Sequence, residues 1–187
     1  PSWQVAMNEL SNRDHSRFLA RTNHKVGRTN TLGPQAAEQG INKAVFREGV
    51  VIQMTWTGAP TIYYGDEAGV CGFTDPDNRR TYPWGHEDQV LLAFHKDIIR
   101  LRRENEELRS GSLKMLESDY NFISYGRFNR KGQCAVLINN NNHPITKEIH
   151  VWEIGTPKTG KMKVILQSRD DGYCMEGAEY EIKAGKI

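Results

Sequence analysis

Residues 58–67 read Gly-Ala-Pro-Thr-Ile-Tyr-Tyr-Gly-Asp-Glu, and this stretch gives the strongest indication of the fold. Its first three residues predict a turn, and the β-branched and aromatic residues at 61–64 predict a short buried strand. Gly65 ends the apolar run before two carboxylates. In a parallel sheet that is buried on both faces, the loop after the carboxyl end of a strand is free to bind a ligand. We therefore expect functional side chains just after Tyr64.

A second apolar segment upstream predicts a partner for this strand. Residues 3–10 suit a short buried strand, and residues 11–14, Ser-Asn-Arg-Asp, then form a polar turn. A long polar loop follows, with one helical turn near residues 16–20, and Pro34 opens a predicted helix over residues 35–56. A strand, a crossover helix and a second strand make a βαβ unit, whose two strands run parallel.

The residue pattern changes near position 109. Before it, residues 69–87 predict another long loop and residues 88–108 predict an amphipathic helix. After it, short alternating runs separated by turn residues predict an antiparallel β-sandwich. The predicted strands cover residues 113–117, 122–128, 134–138, 148–152, 162–167 and 180–183. This change of pattern predicts one domain over residues 1–108 and another over residues 109–187.

Charge and hydropathy exclude several classes of partner. The chain has 187 residues with 25 basic and 23 acidic side chains, a net charge of +2, and the basic residues form no stripe. Nucleic acid and anionic membrane are therefore not predicted as partners. The mean hydropathy is −0.67, and no apolar run reaches the roughly 18 residues that a membrane span requires. These values predict a protein that does not enter a membrane.

The cysteine pattern bears on location and on metal binding. Three cysteines occur at wide spacing, Cys71, Cys134 and Cys174, without a C-x-x-C pair. An odd number of separated cysteines predicts reduced thiols and a cytoplasmic protein. A signal peptide upstream of Pro1 stays open as an alternative. No metal and no cofactor are predicted.

The stretch at residues 58–67 resembles the eighth barrel strand of the α-amylase family of glycoside hydrolases, which commonly reads Gly-x-Pro-x-Ile-Tyr-Tyr-Gly-Asp-Glu. Residues 12–14, Asn-Arg-Asp, stand where that family has Asn-His-Asp after its seventh strand. Residues 75–84 resemble the family's loop beyond the eighth strand. The resemblance implies the C-terminal part of a (β/α)8 barrel, with the seventh and eighth strands and their helices, followed by an antiparallel β-sandwich.

The same resemblance implies an activity. It implies a retaining glycoside hydrolase that acts on α-1,4 or α-1,6 glucosidic bonds of maltodextrin-like glucans, in the group of cyclomaltodextrinases, neopullulanases and α-glucosidases. The nucleophile and the acid/base carboxylate of that family lie on its fourth and fifth strands, which residues 1–187 do not contain. A barrel also needs eight strands and typically ~250 residues. We therefore expect the chain alone to be incomplete for catalysis and to require the missing N-terminal part of the same enzyme. The competing hypothesis is a non-catalytic carbohydrate-binding or structural module.

Asp14 is the candidate catalytic residue, because the family's aspartate at this place is the third active-site carboxylate. The local sequence alone favours Asp14 as a turn residue or as the N-cap of a helix before Phe18, and the matching strand downstream reverses that preference. Arg13 stands where the family has histidine, and it is a substrate-binding candidate. A guanidinium can only donate hydrogen bonds and is always charged, so Arg13 could alter or block the sugar contact of that histidine.

Asp75 and Arg79 are the other substrate-binding candidates, because carboxylates and guanidinium groups hydrogen-bond sugar hydroxyls. The alternative is that residues 75–78 form an ordinary turn in which Arg79 pairs with Asp75. Asp66 and Glu67 are expected to fix their loop and not to act as an acid/base pair. Tyr63 and Tyr64, likewise, are expected to pack in the barrel and not to stack on substrate.

Overall fold

Two short parallel strands lie at the start of the fold. The computed structural model describes residues 6–25 and 27–187, in which β1 (Met7–Asn8) pairs in parallel with β2 (Ala59–Pro60). The predicted parallel pairing is confirmed. The predicted strand at residues 61–64 is wrong, because the ladder ends at Pro60 and the Thr61 carbonyl accepts a hydrogen bond from the Gln53 side chain at 2.7 Å. Of the other predicted strand, residues 3–5 lie outside the described residues.

The crossover between the strands is built from short helices and one long one. Its elements are α1 (Phe18–Arg21), α2 (Thr29–Leu32), a 3-10 turn at Pro34–Ala37 and α3 (Lys43–Thr55). The continuous helix predicted over residues 35–56 is wrong at its start. Gly40 has a φ of +72°, which a helix cannot contain. The side chain of Asn42 then accepts hydrogen bonds from the Ala44 and Val45 amides at 2.9 and 3.2 Å and begins α3.

The second helical region also divides. Helix α4 (Gln89–Glu104) begins at Asp88, whose carboxylate accepts from two amides, and α5 (Glu106–Ser110) follows after Asn105. Asn105 has an extended conformation, with a φ of −106° and a ψ of 104°, so the helix predicted over residues 88–108 is interrupted there. Leu91, Phe94 and Ile98 of the predicted apolar stripe of α4 are buried as expected, whereas Val90 at its start is 51% exposed. In the described part of the chain, no helix combines the length and the apolar character needed to cross a membrane.

The remaining chain forms antiparallel pairs of strands. Strands β3 (Ser112–Asp119), β4 (Phe122–Phe128) and β5 (Gln133–Asn139) make a meander, as predicted. Strand β6 (Thr159–Lys163) pairs with β9 (Glu179–Lys183), and β7 (Gln167–Arg169) forms a hairpin with β8 (Gly172–Cys174). The strand predicted at 162–167 is therefore divided between two different sheets.

The strand predicted at residues 148–152 is wrong. A 3-10 helix at Val151–Ile154 replaces it, and Val151 and Ile154 are fully buried. Ile154 packs so closely on β4 that a Cβ atom at Gly126 would lie 2.3 Å from its side chain. The apolar residues of this segment therefore fill the space beneath the sheet, although their spacing resembles strand alternation.

One hydrophobic core joins the helices to the meander. It contains Phe46 and Met54 from α3, Phe94 from α4 and Tyr125 from β4. The hydroxyl groups of Thr55 and Tyr125 lie 2.6 Å apart within it. A smaller cluster joins the meander to the β6–β9 pair, through residues that include Phe122, Val151 and Ile182. Packing is thus continuous across position 109, and the division into domains there stays a prediction.

Two arginines satisfy the carbonyl groups where α3 and α5 end. Arg102 donates from Nη1 to the carbonyls of Met54 and Leu108 at 2.6 and 2.7 Å. Arg127, which is 1% exposed, donates to Thr55, Leu108 and Gly111. The last carbonyls of a helix have no partner within it, so a buried helix end needs such donors.

We expect Arg127→Ala to lower the free energy of unfolding by roughly 3 kcal/mol, because each buried carbonyl left without a donor costs about 1–3 kcal/mol. Arg102 would still donate to the Leu108 carbonyl, whereas the carbonyls of Thr55 and Gly111 would lose their arginine donor. Urea-induced unfolding measures the change. Arg109→Ala is the matched control, since Arg109 is exposed and forms no ion pair among the described residues; we expect a change below about 0.5 kcal/mol there. Similar losses in both variants would contradict this account.

Candidate functional site

Two loops meet beyond the carboxyl ends of β1 and β2. The fully buried side chain of Asn78, in the second loop, joins them. Its Nδ2 atom lies 2.6 Å from the carbonyl oxygen of Arg13, 2.8 Å from that of His15 and 3.2 Å from that of Asn12. The carboxyl ends of parallel strands lie at one edge of a sheet, where ligands commonly bind. The structure thus places the turn that carries Asp14 beside the 3-10 turn at Asp77–Arg79.

Arg17 is the buried centre of this region. Its Nη1 atom donates to the Tyr64 carbonyl at 2.6 Å and to Asp66 Oδ1 at 3.0 Å. Its Nε atom donates to the Asn78 carbonyl at 2.8 Å. The guanidinium also lies over the ring of Tyr63, 4.0 Å from the centroid. One side chain therefore fixes the backbone on both sides of the second loop.

Sequence reasoning did not identify Arg17 or Asn78. Both lie in polar turns, where arginine and asparagine are ordinary surface residues. The one local signal is that Arg17 directly precedes the apolar run Phe18-Leu19-Ala20, whose last two residues are buried. Their partners lie between 47 and 66 positions away in the chain, so no local pattern could reveal the contacts.

The two carboxylates of the 58–67 stretch both accept hydrogen bonds that hold the loop after β2 in place. Asp66 is 4% exposed and pairs with Arg17. Burial raises the pKa of the Asp66 carboxyl, although hydrogen bonds from Ser11 and Arg17 oppose that effect. Glu67 accepts a hydrogen bond from the Gly65 amide at 2.9 Å. These contacts agree with the predicted role of both residues in fixing the loop.

Asp14 and Arg13 are exposed at the surface of the site. Their side chains are 72% and 74% exposed, and Arg13 Nε lies 3.4 Å from Asp14 Oδ1. The turn is stabilised by Asn12, whose Oδ1 accepts from the amides of Asp14 and His15 at 2.9 and 3.1 Å. Asp14 is therefore not the N-cap of α1, which begins at Phe18 without a side-chain cap. Its carboxylate faces solvent beside Arg13.

The second loop carries the remaining candidates. Arg79 Nη2 lies 2.6 Å from Asp75 Oδ1, in a pair that is about half exposed at 51% and 52%. The alternative pairing considered from the sequence is thus present, and both groups still reach solvent. Further along, the rings of Tyr82 and Trp84 lie 4.5 Å apart, and Trp84 is 80% exposed. Carboxylate, guanidinium and aromatic surface are therefore available on one loop.

Arg80 joins this loop to the polar segment before α3. It donates from Nη2 to Asp77 Oδ2 at 2.9 Å and to the Pro34 carbonyl at 2.7 Å, and it also pairs with Glu38. The long polar loop before α3 is thereby joined to the loop after β2. Over residues 6–25 and 27–187, no three histidine, cysteine or acidic side chains lie close enough to hold a metal ion.

We expect Arg17→Met to lower the free energy of unfolding by about 3–5 kcal/mol, because it leaves Asp66 buried without its cation. Arg17 opposes the effect of burial on the pKa of Asp66, so in the variant this pKa rises further and the folded state binds the proton more tightly. The loss should therefore grow as the pH rises from about 4 to 7. Arg13→Met is the matched control: it removes an exposed pair, and we expect a change of about 0–1 kcal/mol. Urea-induced unfolding at several pH values is the measurement. A loss that is equal in the two variants, or that is independent of pH, would refute the assigned role of Arg17.

The chain is similar in sequence to amylopullulanases and to a neopullulanase. An amylopullulanase from Thermoanaerobacter thermohydrosulfuricus is 31% identical over 190 residues, which cover 100% of this chain and 12% of the relative. Neopullulanase 2 from Thermoactinomyces vulgaris is 33% identical over 210 residues, covering 97% of this chain and 34% of the relative. The chain thus spans about a third or less of the length of these relatives.

Similarity of structure points the same way. A solved structure of a cyclomaltodextrinase superposes with a TM-score of 0.67 at 26% identity, over 98% of this chain and 28% of the other. No family model matches the chain. The relatives by sequence and the cyclomaltodextrinase structure match the α-amylase family of glycoside hydrolases, to which the chain shows the resemblance expected from its sequence.

Proposed function

We propose that this chain forms the C-terminal part of a retaining glycoside hydrolase that cleaves α-1,4 or α-1,6 glucosidic bonds in maltodextrin-like glucans. The observation that carries the proposal is the junction of two loops at one edge of the β1–β2 sheet, held by Asn78, with Asp14 on one loop and Asp75 and Arg79 on the other. The sequence similarity to an amylopullulanase and to neopullulanase 2 supports the choice of glucan.

In this proposal, β1 and β2 are the seventh and eighth strands of a (β/α)8 barrel within residues 1–108, and residues 109–187 form an antiparallel β-sandwich domain. The parallel sheet has two strands in the described chain, and Met7 on β1 is 63% exposed. An open sheet edge with exposed apolar surface needs a covering partner. The missing N-terminal part of the same enzyme, with the other six strands, is that partner. A cytoplasmic location stays a prediction from the cysteine count.

A retaining glycosidase needs two carboxyl groups about 5 Å apart, one as nucleophile and one as acid/base. We assign both to the missing part of the barrel, so residues 1–187 alone should not hydrolyse a glucan. Asp14 supplies the third carboxylate. It accepts hydrogen bonds from sugar hydroxyls that strengthen as positive charge develops on the ring. Its exposure fits this role, because its oxygens accept no backbone amide among the described residues.

Arg13 reduces the availability of the Asp14 carboxylate to the sugar. Its guanidinium pairs with Asp14 at 3.4 Å and so competes with a sugar hydroxyl for the same oxygen. Asp75 and Arg79 bind a sugar away from the scissile bond, and the exposed face of Trp84 is available to stack on a pyranose ring.

The central experiment is Asp14→Asn in the full-length enzyme. We expect kcat to fall about a hundredfold or more with a small change in KM, because the substitution removes an interaction made mainly in the transition state. A loss of that size corresponds to about 3 kcal/mol. Steady-state kinetics on a maltodextrin measure it.

Two further variants control this experiment. Asp119→Asn makes the same change in another exposed ion pair, with Lys147, and should leave kcat unchanged. Arg13→His should leave the activity equal or raise it, because it frees the Asp14 carboxylate. An unchanged kcat in Asp14→Asn would show that Asp14 is only a turn residue. Glucan binding without any hydrolysis by the full-length protein would favour the non-catalytic module.

The loop after β2 yields a separate prediction. We expect Asp75→Ala and Arg79→Ala to reduce kcat/KM more for maltotetraose than for maltose. Contacts with remote sugars contribute binding energy that only long substrates can use. The difference should be about 1–3 kcal/mol if a charged hydrogen bond to the glucan is lost.

Arg100→Ala on α4 is the matched control, because it removes another arginine–aspartate pair, with Asp97 at 2.9 Å, in which the Arg100 side chain is 57% exposed. It should affect neither substrate. Equal losses on maltose and maltotetraose, with a lower melting temperature, would mean that Asp75 and Arg79 only hold the loop.

A further inference from the structure

We propose that Asn78 is a positioning residue, whose amide group sets the location of the Asp14 turn by binding three of its carbonyl groups from the neighbouring loop. This inference rests on the proposed function, since it assigns Asn78 a part in the same reaction. Asn78 itself has no route to the substrate, because it is fully buried.

The geometry of the amide supports this role. The Nδ2 atom has two hydrogens, and it lies within 3.2 Å of the carbonyl oxygens of Asn12, Arg13 and His15. These carbonyls flank Asp14 on both sides. The hydrogen bonds made within the turn itself run from two amides to one atom, Asn12 Oδ1. Asn78 is therefore the contact that relates the turn to the rest of the site.

The backbone of Asn78 is itself held by contacts, so its side chain can fix the location of the Asp14 turn. Its carbonyl accepts from Arg17 Nε at 2.8 Å, and the Arg17 amide donates to the Gly72 carbonyl at 2.9 Å. A Cβ atom added at Gly72 would lie 2.5 Å from the Asp77 carbonyl and 2.9 Å from the Cα atom of Asn78. The backbone at Gly72 is thus in close contact with the 3-10 turn that carries Asn78.

The same turn connects Asp14 to the proposed sugar subsite. Arg79 follows Asn78 directly and pairs with Asp75. A displacement of the Asn78 side chain would therefore change the position of Asp14 relative to the loop that binds the remote sugar. Misplacing a reacting group by about 1 Å can cost roughly a hundredfold in rate.

Asn78→Asp tests the inference, because it keeps the size of the side chain and removes both amide hydrogens. In the full-length enzyme we expect kcat on a maltodextrin to fall about a hundredfold and KM to change less than about threefold. In the same full-length enzyme we expect amide hydrogen exchange at Asp14 and His15 to accelerate at least about tenfold, because the turn loses its support. Asn105→Asp is the matched control: it removes one amide-to-carbonyl bond, to Leu101 at 2.8 Å, between α4 and α5.

The outcomes separate this inference from the proposed function. Unchanged kcat and unchanged exchange at Asp14 in Asn78→Asp overturn the inference, even if Asp14→Asn abolishes activity. In Asn78→Ser, which adds no buried charge, faster exchange throughout the chain with a lower melting temperature also overturns it, since that shows a general loss of stability. If the full-length protein binds glucan without hydrolysis, the proposed function fails, and if Asp14→Asn leaves kcat unchanged, only the role of Asp14 fails. In both cases the exchange rates still decide whether Asn78 positions the turn. Asn78→Ser, which keeps one donor and adds no charge, should shift exchange in the same direction and replaces Asn78→Asp if that variant does not fold.

Discussion

The guanidinium of Arg17 is the contact on which the arrangement of the site depends. It is fully buried and joins Tyr64, Asp66 and Asn78 within one hydrogen-bonded group. A buried charge is costly unless it is paired and hydrogen-bonded, and here a carboxylate, two carbonyls and two aromatic rings surround it. Because all these partners come from the loop after β2, the charge of one residue in the first loop determines the path of the second.

Other arginines, buried or partly buried, play a similar part elsewhere in the chain. Arg47 on α3 donates to Ser168 at 2.8 Å and to the Gly172 carbonyl at 3.2 Å, and so holds the β7–β8 hairpin. Arg102 and Arg127 bind carbonyls where α3 and α5 end. A planar guanidinium has five donors in a fixed geometry, so it can satisfy several carbonyls from different segments at once. Irregular segments, which cannot pair their own backbone groups, are stabilised in this way.

This arrangement separates the residues that support the site from those that would contact a sugar. Arg17, Asp66 and Asn78 are buried and hydrogen-bonded, whereas Asp14 and Arg79 are exposed. Rigid support beneath exposed polar groups lowers the cost of ordering them when a ligand binds. The pairing of Asp75 with Arg79 fits this picture, because each group holds the other in place while both reach solvent.

The sequence by itself determined the elements whose signals are local. The meander from β3 to β5 and the buried stripe of α4 follow from side-chain periodicity, and the parallel partner of β2 follows from the two apolar segments and the crossover between them. The segment at 58–67 also indicated the resemblance to the α-amylase family. Only the tertiary structure decided that residues 61–64 leave the ladder, where the Gln53 side chain donates to the Thr61 carbonyl. It also decided that Val151 lies in a 3-10 helix, because burial against distant residues overrides local strand preference there. Likewise, only the tertiary structure revealed Arg17 and Asn78, since their contacts join residues some 60 positions apart and depend on where the folded backbone places its carbonyl groups.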